Sequence, residues 1–178
     1  AGHICVDILP AMEAESAASE SFLAPGRLVE SGALAFTPGG SVTASDLMYT
    51  EVMNFKKKTK GERPVVAVLM DIAASGGYYV ACSADEIVAH PTTVTGSIGV
   101  IMQMVNFADT MYKLGISADA IKSGAMKDAG SPLRKMKVEE RELFQKLVNQ
   151  FYDRFVDVVA TGRTKMTREK IRQLADGR

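Results

Sequence analysis

Seven consecutive residues without a charged or hydrogen-bonding side chain, Pro64-Val-Val-Ala-Val-Leu-Met70, lead directly into Asp71-Ile-Ala-Ala-Ser75-Gly76-Gly77-Tyr78-Tyr79. An apolar run with no alternation predicts a strand buried on both faces, as in a parallel sheet covered by helices. A helix is expected from about Gly76 to Ala84. Ser75 then stands alone at a glycine-relaxed turn between strand and helix. Unpaired N–H groups at a helix start favour developing negative charge, so this is a place where a nucleophile and half of an oxyanion hole are built. Ser-Gly-Gly is also an ordinary turn. A membrane span over residues 65–84 is the other possibility, opposed by Asp71 and by the Gly76-Gly77 pair.

A nucleophilic serine needs a base. The chain has two histidines, His3 and His90. His90 ends a short apolar segment at Pro91, a structural setting, and His3 lies near a terminus. No carboxylate stands out as the orienting member of a Ser-His-Asp triad. Lysine is the alternative base. Lys127 has the least ordinary setting, in the glycine-bracketed segment Lys122-Ser-Gly-Ala-Met-Lys127-Asp-Ala-Gly130 after an expected strand at Ile116–Ile121. Lys56, Lys57, Lys58, Lys60, Lys135, Lys137 and Lys146 lie in charge-rich stretches and are expected to be solvated.

Four segments occur in order: Thr37-Pro-Gly39-Gly40-Ser-Val-Thr-Ala-Ser-Asp46, Ala74-Ser75-Gly76-Gly77-Tyr-Tyr79, Thr95-Gly-Ser97-Ile-Gly-Val100 and Lys122-Ser-Gly-Ala-Met-Lys127-Asp128. Together they resemble the signal peptide peptidase A (protease IV) family, serine peptidases of the Clp protease/crotonase-type α/β fold. The likeness covers about residues 34–178. It implies Ser75 as nucleophile, Lys127 as general base and Ser97 as a hydrogen-bond partner of the lysine amine. Gly39 or Gly40, with Gly76, would supply the oxyanion amides. It further implies a Ser/Lys endopeptidase for short apolar peptides such as remnant signal peptides, and ring-like homo-oligomers in which the lysine can come from a neighbouring protomer. An anchor outside this sequence would hold the peptidase domain on the extracytoplasmic side of the bacterial cytoplasmic membrane. The runner-up is a crotonase-type acyl-thioester enzyme; the third reading is a catalytically silent assembly subunit or phage capsid maturation relative.

Elementary chemistry agrees with the lysine. An amine with an ordinary pKa of ~10.4 is charged at neutral pH and cannot take a proton. A desolvated site free of carboxylates is required, so the adjacent Asp128 has to point away. A neutral Ser97 hydroxyl orients the amine without stabilising its charge as an anion would.

Composition bounds the rest. One α/β domain is expected over residues 1–178, with residues 1–33 matching the family poorly and the chain a core fragment truncated after Arg178. Within that opening stretch, strands are expected at Ile4–Leu9 and 33–36. The net charge of zero excludes an electrostatic nucleic-acid binder. Cys5 and Cys82 make no disulfide framework, and their spacing with the histidines fits no zinc pattern. No cofactor is expected. A helix should start at Val42–Ser45, capped by Ser41 or Thr43, and end in Lys56-Lys-Lys. Helices are also expected near 106–114, over 138–160 with Leu143, Leu147, Phe151, Phe155 and Val158 on one stripe, and after the cap Thr167. A strand is expected at 86–89. Strands alternating with helices imply a largely parallel sheet.

Overall fold

In the computed structural model the backbone is described for residues 4–7 and 42–178, with side chains from Ser45 onward. The expected strand at 33–36, the caps Ser41 and Thr43 (in part), His3 and the glycines Gly39 and Gly40 lie outside the residues so described. The chain divides into two compact units, one made of the segments up to Gly99 with Tyr152–Arg178, the other of Val100–Phe151.

The apolar run becomes β2 (Val65–Leu69), central between β1 (Ile4–Asp7) and β4 (Glu86–Ala89), and both pairings are parallel. The α/β expectation holds at that level. β2 departs from the expected burial on both faces. Val65, Ala67 and Leu69 are buried, whereas Val66 and Val68 are only partly covered. One face of β2 meets the helices α1 (Val42–Lys58) and α2 (Gly76–Ala81) in a cluster with Val52, Phe55, Ala73 and Ala81. Truncating a core side chain such as Leu69 to alanine costs about 2–5 kcal/mol.

Two short strands were not legible in the sequence. β3 (Ile72–Ala74) pairs in parallel with β5 (Val94–Gly96) as a separate two-stranded sheet. Three residues are too few to show a period. α2 ends at Ala81 rather than Ala84, because the Ser83 hydroxyl and amide both turn back to the Val80 carbonyl. Lys56 is not solvated as expected: its amine sits 2.7 Å from Asp85 and 3.0 Å from the Ser83 carbonyl, tying the end of α1 to the end of α2.

The remaining helices are α3 (Ala108–Lys113), α4 (Val138–Gly162) and α5 (Arg168–Leu174). Gly115, at φ +69°, follows α3 as expected, and the Thr167 side chain caps α5 by accepting from Lys170 N–H. The stripe on α4 divides. Phe155 and Val158 are core, packed with Tyr79, Cys82 and Ile171, while Leu143 and Phe151 stay exposed. The expected strand at Ile116–Ile121 is absent: these residues are exposed and carry no ladder. A strand exists only as half of a pairing, and no partner segment accompanies this one among the described residues.

α1 and α2 approach each other where Gly76 faces Ser45. A Cβ on Gly76 would lie 2.5 Å from Ser45 Oγ but 3.7 Å from Ser45 Cβ. Ser45 is buried, and its hydroxyl has no hydrogen-bond partner among the described residues. Gly76→Ala should therefore lose about 1–3 kcal/mol of stability by overpacking. Ser45→Ala should be near neutral, and the double variant should regain most of the loss. Urea unfolding of the three proteins tests this; a double variant as unstable as Gly76→Ala would refute the contact.

Candidate active site

Ser75 follows β3 immediately and opens α2. Its backbone has φ 51° and ψ −117°, a conformation that glycine adopts freely and other residues rarely do. Holding serine there costs on the order of 1–3 kcal/mol. The constraint is visible on both sides: Ser75 N–H donates to Gly96 O at 2.8 Å, and Ser75 O accepts from Tyr79 N–H at 2.9 Å. The hydroxyl makes no capping bond to α2 and the residue is exposed. An oxygen held at a strained turn, free of its own helix and open to solvent, is placed to meet a substrate.

Ser97 follows β5 as Ser75 follows β3. The register pairs Ile72 with Val94, Ala73 with Thr95 and Ala74 with Gly96, so Ser75 and Ser97 are the next residues on adjacent parallel strands. They are therefore neighbours at this edge, and Ser97 has the same φ of 51°. The Thr95 hydroxyl donates to Ala73 O at 2.8 Å and locks the pair of strands. Ser97 N–H donates to Arg178 O, so the segment after α5 runs beside this edge. Both serines thus occupy carboxyl ends of parallel strands, the edge where α/β sheets bind ligands.

α2 is anchored behind the turn. Tyr79 is buried with its ring edge-on to Tyr49 and Phe155, at centroid distances of 5.6 and 5.2 Å. Its hydroxyl donates to Asp46 Oδ1 on α1, and Arg154 of α4 reaches the same oxygen at 2.9 Å. Burial works to raise the Asp46 pKa, but the bonds from Tyr79 and Arg154 outweigh it and hold the carboxyl below its usual range. Burial, then the bond to Asp46, pushes the Tyr79 phenol well up, so it remains a donor. The Tyr78 hydroxyl oxygen accepts from Arg163 Nε at 3.0 Å. Sequence reading missed this group, whose hydrogen-bonded partners lie up to 108 residues apart; the adjacent tyrosines Tyr78 and Tyr79 were the only signal.

Lys127 belongs to the second unit. It is exposed, on an irregular segment where its N–H donates to Gly124 O at 3.1 Å. The carboxylate of the adjacent Asp128 is engaged by Lys122 and by Arg134 Nε at 2.8 Å. His90 is exposed and its Nδ1 lies 2.8 Å from the Thr92 hydroxyl, a turn-closing contact. Cys82 is buried and its thiol is pushed up to about 12 by desolvation, which removes it as a nucleophile at neutral pH. Among the described residues no group of histidine, cysteine and carboxylate side chains is arranged to hold a metal. No described helix is long and apolar enough to cross a membrane.

Residues 56–178 match the sequence family described as Peptidase family S49. The chain is 42% identical over 142 residues to a putative signal peptide peptidase SppA of Enterococcus faecium, covering 80% of this chain and 40% of that protein. It is 40% identical over 143 residues to the chloroplastic serine protease SPPA of Arabidopsis thaliana, covering 80% of this chain and 20% of the relative. With Protease 4 of Haemophilus influenzae it shares 34% identity over 143 residues, 79% of this chain and 22% of the relative. The chain therefore spans less than half the length of each of these relatives. With a match over more than half its residues, and with two strained serines at one sheet edge, this chain belongs to peptidase family S49.

Proposed function

We propose that the chain is the peptidase domain of a Ser/Lys serine endopeptidase of the Clp protease/crotonase-type fold, cleaving short apolar peptides such as remnant signal peptides. The observation that carries the reading is the strained, exposed Ser75 beside Ser97 at the carboxyl edge of paired parallel strands. Names of relatives that specify a serine protease and a signal peptide peptidase agree with it. In this reading neutral Lys127 takes the proton of Ser75 Oγ as the oxygen attacks the scissile carbonyl. The tetrahedral oxyanion is held by the Gly76 amide with one from Gly39 or Gly40. Collapse expels the amine, which receives the proton from Lys127, and water then releases the acyl group by the same steps. Ser97 orients the Lys127 amine. No cofactor enters these steps.

Ser75→Gly separates strain from chemistry. It should abolish hydrolysis of an apolar fluorogenic peptide while leaving the thermal midpoint equal to or above that of the parent, because glycine relieves the φ of 51°. A fluorophosphonate should label Ser75 in the parent protein. Retained hydrolysis in the variant would move the reaction class toward thioester chemistry or a silent scaffold.

Lys127 has to be neutral to act as a base, so activity should rise with pH. Lys127→Arg should be inactive although it keeps the charge, since guanidinium does not deprotonate. His90→Ala should stay active. An inactive His90→Ala alongside an active Lys127→Arg would point to a histidine base.

The reading extends to a ring-like homo-oligomer held by an anchor beyond this sequence on the extracytoplasmic side of a bacterial cytoplasmic membrane. The exposure of Lys127 and of Leu143 and Phe151 on α4 supports completion of the site by a neighbouring protomer. Mixed Ser75→Ala and Lys127→Ala proteins should then regain part of the activity that each lacks. A mixture that co-assembles by native mass spectrometry yet stays inactive would place both residues in one chain.

A further inference from the structure

Arg134 uses every donor it has on the segment that carries Lys127. Nε donates to Asp128 Oδ2 at 2.8 Å; Nη1 donates to the Lys135 carbonyl at 3.2 Å and to Glu140 Oε2 at 3.0 Å; Nη2 donates to the Asp128 carbonyl at 3.0 Å and to Glu140 Oε1. Five N–H groups meet five acceptors, which is the full capacity of a guanidinium. Glu140 is fully buried and also accepts from Lys137 N–H at 3.2 Å. Lys122 closes on the other oxygen of Asp128. The carboxylate beside Lys127 is therefore held by two cations, and one of those is itself fixed by a buried anion.

This clamp has a purpose if Lys127 is the base, and the inference rests on that reading. Adjacent α-carbons are 3.8 Å apart, and a lysine amine on its four-carbon stem reaches a neighbouring carboxylate in many rotamers. A free Asp128 would pair with Lys127 and keep it charged. We propose that Arg134, braced by Glu140 and helped by Lys122, is a positioning residue that keeps the Asp128 carboxylate away from the Lys127 amine. The charged groups facing Asp128 are Lys122 and Arg134, with Glu140 beyond Arg134. Lys127 itself enters no ion pair among the described residues. The Arg134 hydrogen bond, followed by that of Lys122, holds the Asp128 carboxyl well below the usual carboxylate range, so the clamp persists wherever a neutral lysine is useful.

The test reads Lys127 directly in the full chain. Competitive acetylation by acetic anhydride, followed by mass spectrometry of the Lys127 peptide, gives the pH midpoint of its reactivity whether or not the protein cleaves peptides. Arg134→Gln/Glu140→Gln removes one charge of each sign and leaves the Asp128 carboxylate held by Lys122 alone. The midpoint should rise by about one pH unit, and adding Asp128→Asn should return it. An unmoved midpoint in the folded variant overturns the proposal, as does a rise that survives Asp128→Asn. If circular dichroism shows that pair to be unfolded, Lys122→Met with and without Asp128→Asn gives the same comparison while leaving Arg134 and Glu140 in place. The acid limb of hydrolysis should move in step with the labelling midpoint. A midpoint that shifts while the limb stays fixed supports the shielding of Lys127 and removes Lys127 as the base, so the two readings fail separately.

Discussion

The parallel ladder between Ile72–Ala74 and Val94–Gly96 is the constraint on which the candidate site of the first unit depends. Each strand hands its next residue, Ser75 or Ser97, to the same edge with the same positive φ of 51°. Strain at both positions is tolerable only because the surroundings over-determine them. For Ser75 those surroundings are the Gly96 carbonyl ahead of the turn and the first bond of α2 behind it. Were the register to slip by one residue, Ser75 and Ser97 would no longer follow paired residues and the strand faces would invert.

α2 is too short to be stable by itself, since helices of less than about a dozen residues are marginal in water. It is held by tertiary contact instead. Tyr79 packs between Tyr49 and Phe155 while its hydroxyl feeds the Asp46–Arg154 pair, and Lys56 grips the far end through Ser83 and Asp85. At that same end of α2, a Cβ on Gly162 of α4 would fall 2.2 Å from the Cys82 carbonyl oxygen, so only glycine lets α4 approach α2 this closely. The turn at Ser75 is thus supported by aromatic packing on one side and ion-paired hydrogen bonds on the other.

The two candidate catalytic side chains sit in contrasting electrostatic settings. Around Ser75 the nearest ion pairs are spent on anchoring α2. Next to Lys127 they are spent on Asp128, through a guanidinium whose donors are all used and whose brace, Glu140, is removed from water. A base that works as a neutral amine needs this kind of neighbourhood more than it needs a partner.

Much of this was readable from residues alone. The continuous apolar run placed β2, the lysine cluster and Gly115 placed helix ends, Thr167 announced α5, and the Ser-Gly-Gly turn marked the candidate nucleophile, because local periodicity and capping chemistry depend on near neighbours in sequence. The strand expected at Ile116–Ile121 failed for the converse reason: extended segments become strands only through partners elsewhere in the chain. The same holds for β3 and β5, for the half-covered face of β2 and for Lys56, whose carboxylate lies 29 residues away in sequence. The sequence by itself determined which candidate residues have side chains suited to the proposed chemistry. Only the tertiary structure decided that Ser75 and Ser97 share an edge, and that Asp128 is turned to Arg134, since register and ion pairing are set by the packing of distant segments.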